Sequence, residues 1–178
     1  MAFDYRNSVD PKTLSIEGER VRLDVISRIF EQDIFETFDA EVTRYMFPKP
    51  AKTITEVREF IDSSHHPANL QFVILNKTTD EFLGCCGLHG KADSRNPELG
   101  IWLKTAAHGA GYGREAIYML VTWAREHLIV DSFVYPVDKN NTPSRAIPLS
   151  LGGEVFDERR ERGAAGNELD LVFYRIPA

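Results

Sequence analysis

From Lys104 to Glu115 the chain reads Lys-Thr-Ala-Ala-His-Gly-Ala-Gly-Tyr-Gly-Arg-Glu, with three glycines in five residues. An apolar run, Leu99 to Leu103, precedes it, and Ile117, Leu120, Val121, Ala124 and Leu128 follow at helical spacing. The fold must therefore bring a strand into this loop and take a helix out of it. Glycine lets the backbone turn sharply and come close to a ligand. The first turn of the following helix carries N–H groups without intrahelical partners, and with the positive end of the helix dipole they suit a phosphate or pyrophosphate. A tight strand-to-helix turn that packs and binds nothing explains the same glycines, so the loop alone leaves both readings open.

Two phosphate motifs are excluded by register. A dinucleotide fingerprint needs a third glycine three places after Gly111, where Arg114 stands. A P-loop needs Gly-Lys followed by Ser or Thr, and Gly113 precedes Arg114 and Glu115.

The rest of the chain reads as alternating elements. Residues 1–19 are polar, broken by Pro11 and Gly18, and form an arm into a strand in which Val21, Leu23 and Val25 alternate with Arg22 and Asp24. Phe30, Ile34 and Phe38 share one face of a helix of two to three turns. Thr53 and Glu56 fit a capping box opening a helix that stops at His65-His66-Pro67. Gln71–Leu75 and Phe82–Leu88 read as a hairpin. Glu98–Leu103 is a strand with Glu98, Gly100 and Trp102 on one face and Leu99, Ile101 and Leu103 on the other. Phe133–Val137 is a further strand, but Pro136 lacks the N–H a ladder needs, so it is an edge or leaves its neighbour there. Thr142 and Pro143 read as N-cap and first residue of a helix that Pro148 keeps short, kinked or partly 3₁₀. Gly152-Gly153 ends it, and Leu169, Leu171 and Phe173 mark a closing strand.

The length of 178 residues suits a single domain, 1–178, with 1–19 as an N-terminal arm. A net charge of −6 argues against a nucleic-acid surface, and no apolar run reaches the length of a membrane span. Cys85 and Cys86 are neighbours in an apolar run, which reads as two buried thiols on opposite faces of a strand and fits a cytoplasmic compartment. The five histidines show no metal-ligand spacing.

His108-Gly109-Ala110-Gly111-Tyr112-Gly113 resembles the acyl-CoA signature of the GCN5-related N-acetyltransferase (GNAT) superfamily: Gln or Arg, two residues, Gly, one residue, Gly or Ala. The order of elements from about Val21 to Ile176 is similar to that superfamily. Glu41-Val42-Thr43-Arg44-Tyr45-Met46, Glu98-Leu99-Gly100-Ile101-Trp102-Leu103 and Asn141-Thr142-Pro143-Ser144-Arg145 resemble the branch that includes the ribosomal-protein N-terminal acetyltransferases. The resemblance implies an α/β (α+β) fold: a mixed, mostly antiparallel sheet flanked by helices, with its fourth and fifth strands splayed apart. It implies acetyl-CoA as acyl donor, its pyrophosphate on the loop amides from His108 to Arg114 and its pantetheine arm in the splay. Ile101, Trp102, Leu103 and Asn141 would then contact that arm. Pro136 fits a strand diverging from its neighbour. His108 stands where the family usually has Gln or Arg, and its protonated form would favour a phosphate.

Acetyl transfer needs a neutral amine. At pH 7 a lysine side chain is about one part in two thousand neutral, and an α-amino group roughly a tenth. A general base therefore matters, and Glu98 is the candidate, its strand lying beside the acceptor site by the resemblance. Ser144 is the candidate hydroxyl for protonating the leaving thiolate. Arg44, Tyr45 and Phe47 would line the acceptor pocket. Some branches use a tyrosine seven residues after the Asn, where Pro148 stands here. The expected function is transfer of an acetyl group to a primary amine, on a protein N-terminus or a small molecule, by a monomer or homodimer. A non-catalytic acyl-CoA-binding module is the alternative.

Overall fold

The structure, a computed structural model, describes all of residues 1–178. Eight strands form one sheet: β1 (Ser15–Glu17), β2 (Val21–Val25), β3 (Asn69–Asn76), β4 (Phe82–His89), β5 (Glu98–Leu103), β6 (Ser132–Asp138), β7 (Glu154–Arg162) and β8 (Glu168–Pro177). Their spatial order is β1-β2-β3-β4-β5-β6-β8-β7. Every pairing is antiparallel except β5 with β6, and there only Glu98 and Val134 pair. Beyond that point the two strands part. They are the fourth and fifth strands when counting starts from Val21–Val25, so the splay falls where the resemblance put it.

Pro136 has its physical account in this geometry. Val134 N–H donates to Pro97 O at 3.0 Å, towards β5. Two residues further along a strand the backbone nitrogen points the same way. Pro136 therefore turns its missing N–H into the open gap, while β6 stays paired with β8 along its length.

The helices are α1 (Glu31–Thr37), α2 (Ile54–Ser64), α3 (Tyr112–His127) and α4 (Thr142–Ser150). Period-two alternation divides the core between the two faces of the sheet. Ile34, Val57 and Ile61 of α1 and α2 pack on Val73, Leu75, Phe82 and Cys85. On the other face Ile117, Leu120, Val121 and Ala124 of α3 pack on Val21, Phe72, Cys86 and Leu99. Cys85 and Cys86 lie in opposite cores, and burial pushes both thiols well above the ordinary range. No helix is long and apolar enough to cross a membrane.

Local expectations are corrected at four places. Thr53 caps α2 by accepting from Glu56 N–H at 3.3 Å, but the Glu56 carboxylate reaches back to Lys52 N–H, not to the cap residue itself. Asn141, not Thr142, is the N-cap of α4, and the helix is short, with Pro148 inside it unable to supply an N–H to the Ser144 carbonyl. The arm 1–19 contains β1 and is fastened to the body: Phe3 is buried and Tyr5 bridges to Leu128. Finally, β7 is a full strand with no sequence signal of its own. It pairs only with β8, at the sheet edge, so none of its residues is buried and it has no apolar face to alternate.

Candidate active site

The strand β5 ends at Leu103, and a 3₁₀ turn over Thr105–Ala107 leads into the glycine loop. Gly109 has φ +81° and Gly111 φ +80°, left-handed values that glycine adopts without strain. Nothing lies within 4 Å of where a Gly109 side chain would begin. From Gly109 through Arg114 no backbone N–H donates to any group of the chain, and the first helical bond runs from Glu115 N–H to Gly111 O. Six consecutive amides are thus free at the positive end of a 16-residue helix, a cradle for a polyanion.

Arg20, at the entrance to β2, fixes this cradle. Its Nε is 2.8 Å from the Glu115 carboxylate, its Nη1 donates to Ala110 O at 2.8 Å, and its guanidinium lies 4.9 Å from the centre of the Tyr112 ring. The second Glu115 oxygen accepts from the Arg20 and Val21 amides at 2.9 and 3.0 Å, and these bonds hold its pKa below the usual value against the pull of burial. The sequence offered no signal for this clamp, since Arg20 and Glu115 are 95 positions apart. His108, the loop's first signature position, is exposed with Nε2 2.8 Å from Leu103 O, which leaves Nδ1 as its outward nitrogen.

The open edge of β5 leads away from the cradle. Lys104 N–H donates to Leu83 O on the β4 side, and Pro97 O accepts from β6. Alternation between these two points turns the peptide groups of Leu99 and Ile101 into the splay, with Leu103 at its mouth. Trp102 differs: its backbone faces Cys85 and its indole packs 4.8 Å from the Phe38 ring and 5.9 Å from Phe82. On the far side of the gap Asn141 keeps a side-chain amide without any hydrogen bond. Ser144 Oγ is 2.8 Å from the hydroxyl of Tyr135 on β6, whose phenol is pushed up to about 12 by burial and so stays protonated. The sequence carries no signal for Tyr135, because only the fold brings β6 beside α4.

Glu98 marks the other end of β5, about 17 Å from Leu103 at ~3.3 Å per residue. A cavity of about 400 Å³ opens there, lined by Phe60, Ser64, Asn69, His89, Asp93 and Glu98 among others. Glu98 is exposed as a residue, yet its carboxyl is crowded: desolvation raises its pKa, the Glu161 carboxylate adds to this, and Arg159 opposes it. Arg44, Tyr45 and Phe47 do not line this cavity. Arg44 stacks on Tyr45 at 5.3 Å, and Phe47 is 57% exposed. Their segment is docked on the β7–β8 turn: Ala164 N–H donates to Phe47 O at 2.7 Å, and Asn167 donates to the carbonyls of Arg44 and Met46.

An anion cradle at one end of an unpaired strand edge, with a carboxylate-lined cavity at the other, suits transfer of a group from a phosphate-bearing carrier. The profile of the Acetyltransferase (GNAT) domain matches residues 25–154. The uncharacterized N-acetyltransferase p20 of Bacillus licheniformis is 32% identical over 145 residues, 78% of this chain and 81% of the relative. Among solved structures, a GCN5-related N-acetyltransferase from Brucella melitensis superposes with TM-score 0.77 at 18% identity, covering 94% of this chain and 80% of that one. An acetyl transferase from Salmonella typhimurium, described as modifying the N-terminal serine of 50S ribosomal subunit protein L7/L12, superposes with TM-score 0.76 at 14% identity, covering 93% and 99%. The chain belongs to the GNAT superfamily and is an acetyltransferase, and enzymes of this superfamily generally use acetyl-CoA.

Proposed function

We propose that residues 1–178 form one N-acetyltransferase domain that moves an acetyl group from acetyl-CoA to a primary α-amine, of the kind a protein N-terminus carries. The observation that carries this reading is the row of free amides from Gly109 to Arg114, placed at one end of the same strand that bears Glu98 at the other. Acetyl-CoA supplies the activated thioester. The chain's residues do the rest by positioning and proton transfer. The loop amides bind the pyrophosphate, with Arg20 and Glu115 holding the loop's shape. The free peptide groups of Leu99 and Ile101 and the Asn141 amide orient the pantetheine arm, while the Trp102 indole braces the strand from behind.

In this reading Glu98 meets the incoming ammonium and draws off its proton, directly or through water. Its pKa, raised by desolvation and by the Glu161 carboxylate, strengthens it as a base. Ser144, backed by the protonated Tyr135 phenol, gives a proton to the leaving thiolate. Arg44, Tyr45 and Phe47 form an outer rim that guides the acceptor. An α-amine is favoured over a lysine side chain because far more of it is neutral at pH 7. The resemblance to the ribosomal-protein N-terminal branch, and the Salmonella typhimurium neighbour described above, favour the same acceptor class.

The experiment is thiol release from acetyl-CoA with a panel of peptides, polyamines and amino acids, using wild type and Glu98→Gln. Peptides with a free α-amine should turn over, and Glu98→Gln should lose about 100-fold or more in kcat with acetyl-CoA affinity kept. Equal turnover of α-acetylated peptides carrying only lysine amines would overturn the acceptor assignment.

A further inference from the structure

An alkylammonium nitrogen must lose two protons to become the nitrogen of a secondary amide, and one carboxylate holds only one. Glu98 receives the first. Directly opposite Glu98 in the β4–β5 register stands His89. Asn69 decides which of its nitrogens is protonated. The Asn69 Nδ2 donates to Ser64 O at 2.6 Å, so its oxygen is the atom turned to the imidazole, 2.6 Å from His89 Nδ1. An amide oxygen only accepts, so Nδ1 carries the hydrogen and Nε2 keeps a free lone pair. That Nε2 makes no hydrogen bond. It lies over Gly100, where a Cβ would come within 2.9 Å of it, so the glycine is what leaves the ring its place. Ser64, Asn69, His89 and Glu98 all line the same cavity.

We propose that His89 is a second catalytic base of the acetyl transfer, its Nε2 taking the proton that the amine nitrogen sheds as the new amide bond forms. The proposal rests on the cavity at Glu98 being the acceptor site. The nitrogen lone pair forms the N–C bond, the C–S bond breaks with its electron pair leaving on sulfur, and the second proton passes to Nε2. Of the two protons removed, one restores the thiol and the other returns to water.

The surroundings suit this role. On β5 the cross-strand neighbour of His89 is Glu98, and the β4–β5 connection brings Lys91 and Asp93 to the cavity wall. The facing residues of β3 and α2 (Asn69 and Gln71, Phe60, Ser63 and Ser64) are uncharged. The charges of Glu161 and Arg159 on β7 act on Glu98 in opposite directions. Burial, helped by Lys91, lowers the His89 pKa, so the ring is neutral and accepting at neutral pH.

Two measurements test this. Ring nitrogen NMR of the wild type reads the tautomer without any turnover: an Nδ1-protonated, Nε2-free imidazole is expected, and an Nε2-protonated ring overturns the proposal. With a peptide that the wild type acetylates, His89→Gln, which can still hydrogen-bond Asn69 but cannot carry a proton, should lose about 100-fold in kcat. Its KM for acetyl-CoA should stay within about twofold, and one ionisation should vanish from the acid limb of its pH profile. A folded His89→Gln enzyme with wild-type kcat and an unchanged profile overturns it. Failure of the wild type with every amine counts against the acceptor reading, while the tautomer still decides whether His89 is poised as a base.

Discussion

Gly111→Val puts a branched side chain in the middle of the amide cradle. Gly111 has φ +80°, and its Cβ would meet Arg20 Nη2 at 3.4 Å, an ordinary contact. The folding cost is therefore backbone strain, about 1–3 kcal/mol for a non-glycine held in that region. At roughly 2–4 °C per kcal/mol for a chain of this size, the melting temperature should fall by about 2–12 °C and the protein should remain folded. Binding should suffer far more. Hydrogen bonds to a charged group contribute about 1.5–3 kcal/mol each, and an isopropyl group over the loop blocks about two of the free amides. The loss of about 3–6 kcal/mol corresponds to about 10²–10⁴-fold weaker acetyl-CoA binding, read by calorimetric titration at fixed salt. Gly111→Ala separates strain from blockage, since it carries the strain with little bulk. A folded Gly111→Val protein that binds acetyl-CoA as tightly as wild type would refute the cradle.

Two further outcomes follow from buried groups. Tyr135→Phe removes the 2.8 Å bond to Ser144; it should cost about 1 kcal/mol of stability and lower kcat for thiol release while leaving acetyl-CoA affinity unchanged. His89 should also shape acid stability. Its folded pKa lies below the ordinary value of about 6.5, so the unfolded chain binds the proton first. Its stabilising contribution is then complete above about pH 6.5 and lost as pH falls below it, a decline that urea melts at a series of pH values should show and His89→Gln should flatten. The paired carboxylates of Glu31, Asp62, Asp131 and Asp157, whose pKa values are lowered, act only at more acid pH.

Much of the fold was legible because local chemistry and tertiary structure agree. The glycine loop announced a strand-to-helix junction, alternation gave β2, β5 and β8, and the Pro136 anomaly pointed to the splay. What was hidden depends on partners distant in the chain. The strand β7 reads Glu-Val-Phe-Asp-Glu-Arg-Arg-Glu-Arg, and an edge strand solvated on both faces has no alternation to detect. It is held by its ladder to β8 and by stacking such as Arg159 over Phe173 at 4.5 Å and Arg175 over Phe156 at 4.1 Å. Arg20, Tyr135 and His89 are ordinary residues in sequence. Only the pairing of β4 with β5, and the packing of α3 and α4 on the sheet, give them neighbours on which they could act. Arg44, Tyr45 and Phe47 show the converse: a phrase read from resemblance proved to be docked on the β7–β8 turn, outside the cavity that Glu98 lines.

The most direct measurement follows where the acetyl group goes. Peptides with a free N-terminal α-amine and an internal lysine are incubated with the protein and acetyl-CoA, and fragment masses locate the product. One acetyl group is expected on the α-amine, with matching thiol release, and loss of both in Gly111→Val. Tight acetyl-CoA binding with no acetylated product from any peptide or small amine would contradict it.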